Sequence, residues 1–521
     1  MVLHWQRCGR VGHRRKPFNP ANRRGYFFLE IYFFIRTKGV NSFMKLDVKQ
    51  LFKDQPSLYA LIRKIGGVAD TSGIQAYIVG GLVRDLLIGK KNKDIDIVVV
   101  GDGLVFADEV SKALNAFPVV KFKEFGTAMI PLEEMELEIV SARKEVYQTH
   151  SRNPKVKFTD LDEDLKRRDF TINTMALSIN VDTFGDFIDP FNGLKDIKHE
   201  LIITPLDPKE TFFEDPLRML RAIRFASQLG FNIDENTFLA IKTYADRINI
   251  ISKERIRDEF LKILMSSKPS FGIKLLHEST LLGYLFPEII ELKGIESHGV
   301  YKHKDVYLHT LKVLDNVAKF DADINLRLAA LYHDIAKPRT KRFYDGIGWT
   351  FHGHEELGAR MFERYAKKLR LSTKDIKKIE KLIRLHLRPI AVAKEEVTDS
   401  AIRRLIVEAG ENIDDLMILC RADITSKNKD RVQRYLKNFE LVEQRIGEVE
   451  EKDALRTFQS PFDGKEIMKM FALEPGPYVG KIKHFVEEAI LEGEIENTHD
   501  AASKFIEKNK EKLIDLYLKN H

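Results

Sequence analysis

Cysteine and tryptophan are scarce in this chain of 521 residues, which contains two of each. Two cysteines, Cys8 and Cys420, are too few for a disulfide framework or for a cysteine-based metal site. The sequence also has no apolar run that approaches the length of a membrane-spanning helix. These absences argue against a disulfide-rich secreted protein and against an integral membrane protein. They predict a protein of a reducing compartment, the cytoplasm, with no membrane partner.

Excess charge of one sign is confined to one end of the chain. The formal net charge is +7, yet residues 1–43 alone contain nine Lys/Arg and one acidic residue, Glu30. The rest of the chain is therefore close to neutral, so any contact with nucleic acid must come from local patches. Because residues 1–43 mix basic and aromatic residues without periodicity, we interpret them as a non-native or disordered extension. We expect a helix to begin at Met44.

Composition and hydrophobic periodicity divide the remaining sequence into four parts. The hydrophobic share of 44% and the charged share of 31% suit a globular protein of several domains. Strand and helix patterns alternate over residues 44–205, and helical patterns dominate residues 206–290. Residues 291–430 are helical with scattered histidines, and residues 431–521 are helical and rich in Lys and Glu. The sequence therefore predicts an α/β domain followed by all-α domains.

The stretch YIVGGLVRDLLIGKKNKDIDIVVV, residues 77–100, predicts a strand, a glycine turn, a short helix and a second strand. Gly80 and Gly81 end the first strand, where missing side chains let the backbone approach a bulky group such as a triphosphate. Asp94 and Asp96 alternate with apolar residues on the second strand, so both carboxylates lie on one face. Two adjacent carboxylates repel each other, and a pair of divalent cations relieves that repulsion.

Two later stretches carry charged residues suited to the same chemistry. The strand ELEIV places Glu136 and Glu138 on one face. The segment DLKRRDFTINTMA, residues 164–176, contains Arg167 and Arg168. Because guanidinium groups can hold phosphate oxygens in bidentate fashion, this combination of acids and arginines indicates chemistry on a phosphate.

Together these motifs resemble the DNA polymerase β-like nucleotidyltransferases, and within them the class II (bacterial-type) CCA-adding tRNA nucleotidyltransferases and poly(A) polymerases. The resemblance implies that Asp94 and Asp96 hold Mg²⁺, and that Glu138 binds metal or deprotonates the attacking hydroxyl. It also implies a loop over residues 151–159. It also assigns residues of these stretches to nucleotide binding, and of these Asp169 and Asn173 would lie near the sugar. The assigned residues are Gly80, Gly81, Arg84, Arg167, Arg168, Asp169 and Asn173.

The stretch EDPLRMLRAIRFASQL predicts a helix with a charged stripe. Glu214, Arg218 and Arg221 are spaced at i, i+4 and i+7 and share one face, which Arg224 extends. Seen alone, the stripe would be solvated surface and Asp215 a helix cap. The stretch resembles the base-recognition helix of the same family, which implies that Asp215 and Arg218 read the base edge of CTP or ATP. Glu214 would orient Arg218, while Arg221 and Arg224 would serve the triphosphate or helix packing.

Histidine and aspartate recur in helical surroundings through residues 291–430. Their order, H…HD…D, resembles the HD phosphohydrolase superfamily and implies a divalent metal such as Mn, Ni, Fe or Mg. The module could be a working hydrolase, or it could be retained for its fold alone. The candidate metal ligands are His309, His333, Asp334, His354, His386 and Asp423.

The resemblance implies a template-independent RNA nucleotidyltransferase that adds C, C and A from CTP and ATP to tRNA 3′ ends and releases pyrophosphate. The fold that it implies is a polymerase β-like head (44–205), a helical RNA-binding neck (206–290), a helical HD domain (291–430) and a helical tail (431–521). A poly(A) polymerase and a partial CC-adding or A-adding enzyme share these motifs. An alternative of a different class is a metal-dependent HD phosphohydrolase with an RNA-binding head.

Overall fold

The computed structural model of the chain forms two compact units, the first ending at Leu206 and the second beginning at Asp207. Most of the predicted extension 1–43 lies outside the described residues, which are 34–36, 43–148, 151–294, 297–298, 301–302, 305–392, 398–425, 428–452 and 458–517.

The first unit is built on a nine-stranded mixed sheet. Its strands lie in the order β1-β2-β11-β10-β3-β4-β7-β6-β5, and β4 and β7 run parallel. Strands β8 and β9 form a separate antiparallel hairpin. The strands of this unit are β1 (Phe34–Arg36), β2 (Phe43–Lys45), β3 (Gln75–Val79), β4 (Asp94–Val100), β5 (Val120–Phe122), β6 (Thr127–Pro131), β7 (Glu136–Ser141), β8 (Arg143–Gln148), β9 (Ser151–Phe158), β10 (Ala176–Ser178), β11 (Asp186–Ile188) and β12 (Leu201–Ile202).

The central strands of this sheet are apolar on one face and carry acids on the other. Ile95 and Ile97 of β4 and Leu137 and Ile139 of β7 are fully buried, and they anchor the strands from behind the carboxylates. Helices complete the unit: α1 (Val48–Leu51), α2 (Pro56–Thr71), α3 (Gly81–Leu87), α4 (Gly103–Leu114), α5 (Leu161–Lys166) and α6 (Gly193–Lys198).

Two local predictions for this unit are wrong. Met44 lies in β2, which pairs with β11, and helix α1 begins only after Asp47, whose carboxylate accepts a hydrogen bond from the Gln50 N–H. The cap and the distant strand partner together override the helical pattern. The loop expected over residues 151–159 is instead strand β9, whose backbone is paired with β8.

The second unit is helical apart from short strands. Its strands are β13 (Asn232–Ile233), β14 (Ser297–His298), β15 (Tyr301–Lys302), β16 (Arg342–Tyr344) and β17 (Gly348–Thr350). Its helices are α7 (Pro208–Glu214), α8 (Leu217–Leu229), α9 (Glu235–Thr243), α10 (Lys253–Leu264), α11 (Pro269–Glu278), α12 (Leu281–Leu285), α13 (Pro287–Ile290), α14 (Val306–Ala318), α15 (Ile324–Tyr332), α16 (Lys337–Thr340), α17 (His354–Lys368), α18 (Thr373–Leu385), α19 (Arg388–Val392), α20 (Asp399–Ala409), α21 (Ile413–Asp423), α22 (Lys429–Lys452), α23 (Gly464–Phe471), α24 (Pro477–Leu491), α25 (His499–Lys508) and α26 (Lys510–Tyr517).

The helices of this unit pack in groups that follow one another along the chain. Helix α8 packs on α10 and α11, and helices α14, α15, α18 and α21 pack together further along the chain. The last four helices enclose an apolar cluster of Phe462, Ile467, Ile482, Val486, Ile490, Ala502, Ile506 and Leu513. The predicted class, an α/β head followed by all-α domains, is confirmed. Within the described part of the chain, every helix is too short or too polar to cross a bilayer.

Candidate functional site

Adjacent parallel strands place the acidic residues of the first unit side by side. In the register of β4 and β7, Asp94 lies opposite Glu136 and Asp96 lies opposite Glu138. Burial raises the pKa of Glu138, and the neighbouring Asp96 raises it further. Carboxylates that crowd together in this way are a fitting donor set for divalent cations, since a bound cation would remove the repulsion between them.

The glycine turn lies directly against this acidic face. Gly80 has φ of +70°, a left-handed conformation that suits glycine. A Cβ atom at this position would lie 3.0 Å from Arg168 Nη1 and 3.4 Å from Asp96 Oδ2. The structure therefore brings the turn, a predicted metal ligand and a predicted phosphate-binding arginine together.

A buried polar network connects the other predicted nucleotide-binding residues of the head. Arg84 Nη1 donates to Asn173 Oδ1 at 2.7 Å, and Asn173 Nδ2 donates to Asp169 Oδ1 at 3.0 Å. Arg84 also forms an ion pair with Asp85 at 2.9 Å. Arg84 is thus held within the protein scaffold, where it orients Asn173 and, through it, Asp169.

Sequence reasoning missed one acid of this region, Asp164. Its carboxylate is fully buried and binds both Arg167 and Arg168. The signal was present in the sequence, because Asp164 precedes the arginines by three and four residues, the spacing of neighbours on a helix.

The charged residues at the start of helix α8 are already paired. Asp215 accepts a hydrogen bond from the Leu217 N–H at 3.1 Å. Its carboxylate also forms an ion pair with Arg255 Nη2 at 2.9 Å. Arg218 Nη1 lies 3.3 Å from Glu214 Oε2, as the predicted orienting role requires. The cap and the ion pairs fix the positions of a carboxylate and a guanidinium that offer complementary groups to a base edge.

Glu259 of helix α10, which no sequence motif pointed to, holds the two later arginines of α8. Its Oε1 atom lies 3.1 Å from Arg224 Nη1 and 3.9 Å from Arg221 Nη1. Arg224 is buried and its guanidinium stacks over the Phe225 ring at 4.2 Å. Of the two roles expected for Arg224, these contacts support helix packing.

The six predicted ligands of the histidine module converge at one place in the second unit. Their ligand atoms form two groups, each within 4.8 Å: His309, His333 and Asp423, and Asp334, His354 and His386. The Asp334 carboxylate connects the groups, because Oδ2 lies 3.4 Å from His309 Nε2 and Oδ1 lies 3.4 Å from His354 Nε2. A single carboxylate could therefore contact two cations.

Each histidine of this cluster is held by its second ring nitrogen. The Nδ1 atoms of His333, His354 and His386 lie 2.7–2.9 Å from the carbonyl oxygens of Ala330, Phe351 and Ile383. A carbonyl only accepts, so Nδ1 must carry the proton, and Nε2 of the neutral ring is left as a metal ligand. His309 Nδ1 lies 2.8 Å from the Thr425 hydroxyl, a group that can either donate or accept.

Buried atoms in this cluster fit a cation. Among the described residues, His333 Nε2 and Asp334 Oδ1 are buried without a hydrogen-bond partner. Burial, followed by the neighbouring His333, lowers the pKa of His386 to about 3 and keeps that ring neutral. Although burial opposes it, Asp334 raises the pKa of His333 to about 10. In the metal-free protein, a second proton on the His333 ring balances the charge of the buried carboxylates. A bound cation would take over that role and leave the ring neutral.

Three protein-family models match successive parts of the chain. They are the poly A polymerase head domain over residues 76–203, the probable RNA and SrmB-binding site of polymerase A over residues 230–292, and the HD domain over residues 306–428. The matched ranges include the acidic face of the sheet and all six converging histidines and aspartates.

Curated relatives align with most of the chain. An A-adding tRNA nucleotidyltransferase of Deinococcus radiodurans is 30% identical over 444 residues, covering 83% of this chain and 95% of the relative. A CC-adding tRNA nucleotidyltransferase of Thermus thermophilus is 28% identical, covering 83% and 93%. A CCA-adding enzyme of Leuconostoc mesenteroides is 28% identical, covering 84% and 93%.

Solved structures share the fold. The CCA-adding enzyme of Bacillus stearothermophilus in complex with CTP superimposes with a TM-score of 0.64 at 23% identity, covering 88% of this chain and 99% of that one. At this identity the likeness establishes the architecture, with a mixed-sheet head followed by helices.

Proposed function

Because this chain belongs to the tRNA nucleotidyltransferase and poly(A) polymerase family and is a nucleotidyltransferase, we propose that it adds C, C and A to tRNA 3′ ends. The RNA 3′-hydroxyl attacks the α-phosphate of CTP or ATP, a phosphodiester bond forms, and the bond to pyrophosphate breaks. The observation that carries the proposal is the pairing of Asp96 with Glu138 on parallel strands, with Arg168 and Gly80 beside Asp96.

Each group of residues in the head has a separate role in the proposed reaction. Both the head family and the HD family depend on divalent metals, and Asp94, Asp96 and Glu138 would hold Mg²⁺. When bound, the cations activate the hydroxyl and stabilise charge on the phosphate oxygens. Arg167 and Arg168 bind the triphosphate, and the bare backbone at Gly80 gives it room. Asp169, positioned by Asn173 and Arg84, accepts from the ribose.

Helix α8 supplies the choice of base in this proposal. Asp215 and Arg218 present an acceptor and donors in fixed positions, because Arg255 and Glu214 hold them. A carboxylate and a guanidinium can match the base edges of CTP and ATP and leave those of UTP and GTP mismatched.

The proposed partners are tRNA, CTP and ATP, and the proposed compartment is the cytoplasm. The part of the chain matched by the RNA-binding family model begins just after α8. Arg247 lies within that part, and its guanidinium lies 3.8 Å above the ring of Phe213, which precedes the matched range and is half exposed. A cation on an exposed ring is a platform on which an RNA base or ribose can stack. The buried thiol of Cys420 suits a reducing compartment.

Three matched tRNA substrates test the proposal. We would incubate the protein and Mg²⁺ with one tRNA ending at the discriminator base, one ending in C–C and one complete, using each NTP alone and all together. We expect the first to gain CCA, the second to gain A and the third to gain nothing. Extension of only the first substrate, by C–C, or of only the second would identify a partial enzyme, and a long A tail would identify a poly(A) polymerase. Sequencing of the products separates these outcomes.

The histidine cluster supports a second activity, metal-dependent hydrolysis of phosphate esters. Three rings held through Nδ1 by backbone carbonyls, with Nε2 converging on Asp334, form a prepared metal centre. The metal is Mn, Ni, Fe or Mg in this proposal. Hydrolysis of p-nitrophenyl phosphate and of a cyclic nucleotide monophosphate, measured after loading with each metal in turn, tests it. Metal binding without turnover of any phosphate ester would show a structural centre.

A further inference from the structure

A single buried carboxylate lies behind the two arginines of the head. Asp164 belongs to helix α5, has 0% exposure, and accepts two hydrogen bonds from each guanidinium. Its Oδ1 lies 2.6 Å from Arg167 Nη2 and 3.0 Å from Arg167 Nε. Its Oδ2 lies 3.0 Å from Arg168 Nη2 and 3.2 Å from Arg168 Nε.

This arrangement fixes one edge of each guanidinium and leaves the Nη1 edge turned away from the carboxylate. Arg168 Nη1 is the atom that faces Gly80, beside Asp96 Oδ2. Two adjacent guanidiniums would otherwise repel each other and spread over many rotamers. The shared carboxylate removes most of that repulsion and orders both side chains before any nucleotide arrives.

The same carboxylate binds the first residue of β8, the strand that directly follows the one carrying Glu138. The Arg143 N–H, two residues beyond the end of β7, donates to Asp164 Oδ1 at 3.3 Å. The Arg143 carbonyl in turn accepts from Arg167 Nε at 2.9 Å. The arginines are therefore fixed against the backbone at the start of β8, just beyond the acidic strand, as well as against each other.

We propose that Asp164 is a positioning residue of the nucleotidyl-transfer site, which holds Arg167 and Arg168 in the geometry that receives the triphosphate of the incoming nucleotide. The proposal rests on the proposed function. Asp164 itself does not touch the nucleotide. It acts by presetting two donors, so that binding does not have to order them.

Binding of CTP and of CMP to the Asp164→Asn variant tests the proposal. The amide would turn N–H donors toward guanidinium donors, so both arginines would lose their fixed positions. We expect CTP affinity, measured by calorimetry with Mg²⁺, to fall roughly 10- to 100-fold, the range for one hydrogen bond to a charged group. CMP, which lacks the β- and γ-phosphates, should lose much less. Inorganic pyrophosphate should lose affinity in parallel with CTP.

Asp70→Asn is the matched control. Asp70 is another acid of the first unit and accepts from Asn180 Nδ2 and the Val181 N–H. Asn180 binds the Ala76 N–H at the end of β3 opposite to Gly80. This variant should bind CTP as the parent does. Equal losses for CTP and CMP, or an unchanged CTP affinity in a folded Asp164→Asn protein, would overturn the positioning role.

Two further measurements keep the outcomes distinct. If Asp164→Asn does not fold, Arg168→Lys keeps the charge but cannot make the two-point bond, so it should lose CTP affinity selectively over CMP; an unchanged affinity overturns the proposal. If both fold, Asp164→Asn should cost less CTP affinity in the Arg168→Ala background than in the parent, because part of its effect acts through Arg168 and the rest through Arg167. A parent protein that binds neither CTP nor ATP would overturn the proposed function itself, and the positioning role with it.

Discussion

Asp94 and Asp96 are the residues whose loss should be most costly to nucleotide addition. Replacing either with Ala removes a proposed metal ligand from an otherwise intact strand face. Because bound metals supply several kcal/mol to the transition state, CTP incorporation should fall by at least about 1,000-fold. The measurement is incorporation into tRNA with Mg²⁺, alongside thermal unfolding. Asp102→Asn, which alters only the cap of α4, is the control, and near-normal incorporation by either alanine variant would contradict the assignment.

Arg218 should govern which base is accepted more than how tightly a nucleotide binds. Arg218→Ala removes the proposed donor to the base edge, while Glu214 and Asp215 remain. Discrimination of CTP and ATP against UTP and GTP should weaken by roughly 1–3 kcal/mol, the value of one bidentate base contact. Competition among the four nucleotides on one tRNA measures this directly. A variant that keeps the parent's selectivity would make α8 a structural helix.

The stability contributed by Asp164 should depend on pH in one direction. Burial opposes ionisation, yet Arg168 and Arg167 lower the pKa of this carboxyl below its ordinary value. A depressed folded-state pKa gives stability that is present above the unfolded-state pKa and is lost as pH falls toward the folded-state pKa. The difference in unfolding free energy between the parent and Asp164→Asn should therefore be constant near neutrality and shrink below about pH 4. If the difference in unfolding free energy instead grew on acidification, the pKa of Asp164 would be raised by folding, contrary to this prediction.

The sequence pointed to individual charged residues of the candidate sites, but it did not show which residues they contact. Alternation along single strands was enough to place Asp94 and Asp96 together, because the period of a strand is fixed. The pairing of Asp96 with Glu138 depends on a parallel register between strands about 40 residues apart in the chain, which no local pattern encodes. The ion pair of Asp215 with Arg255 is likewise a tertiary contact between two helices.

A buried arginine of helix α15 caps the C-terminal end of helix α10. Arg327 is 3% exposed and donates at 2.7 Å to the carbonyls of Leu264 and Ser266, and at 3.0 Å to that of Ala322. The last carbonyls of a helix lack partners within it, so this guanidinium caps α10. The cap fixes the helix that carries Glu259, the partner of Arg224.

Removal of this cap should destabilise the second unit. Arg327→Met keeps much of the side-chain volume but leaves buried carbonyls without donors, at a cost of roughly 2–4 kcal/mol in unfolding free energy. Arg339→Met, which removes an exposed ion pair with Glu291, should cost at most about 1 kcal/mol. Urea unfolding monitored by circular dichroism compares them. Equal effects in the two variants would show that the buried cap contributes little.

Elements with strong local signals were predictable, and those fixed by distant partners were not. The turn at Gly80-Gly81 and helix α3 follow from glycine and apolar spacing within one short stretch. The helix expected at Met44 fails because β2 finds its partner in β11, about 140 residues later. Similarly, β8 and β9 pair where a loop was expected.

At the scale of the whole molecule, the carboxylate cluster of the head and the HD cluster of histidines and aspartates belong to different units. The carboxylates of the head come from two neighbouring strands, whereas the six ligands of the HD cluster come from five separate places in the helical unit. Motif order predicted those six ligands from the sequence, and the structure brings them together. Their division into two groups around Asp334 depends on helix packing and could only be seen in the structure.

The two proposed chemistries should therefore be separable by one substitution. Asp334→Ala removes the carboxylate that connects both ligand groups, so the HD centre should lose its metal and any hydrolysis of phosphate esters. In the proposed mechanism nucleotide addition depends on Asp94 and Asp96, so it should remain measurable with Mg²⁺. Metal content by mass spectrometry, p-nitrophenyl phosphate hydrolysis and CTP incorporation would be measured on the same preparation, with Asp96→Ala as the reciprocal variant. Loss of both activities in a folded Asp334→Ala protein would show that nucleotide addition depends on the HD centre.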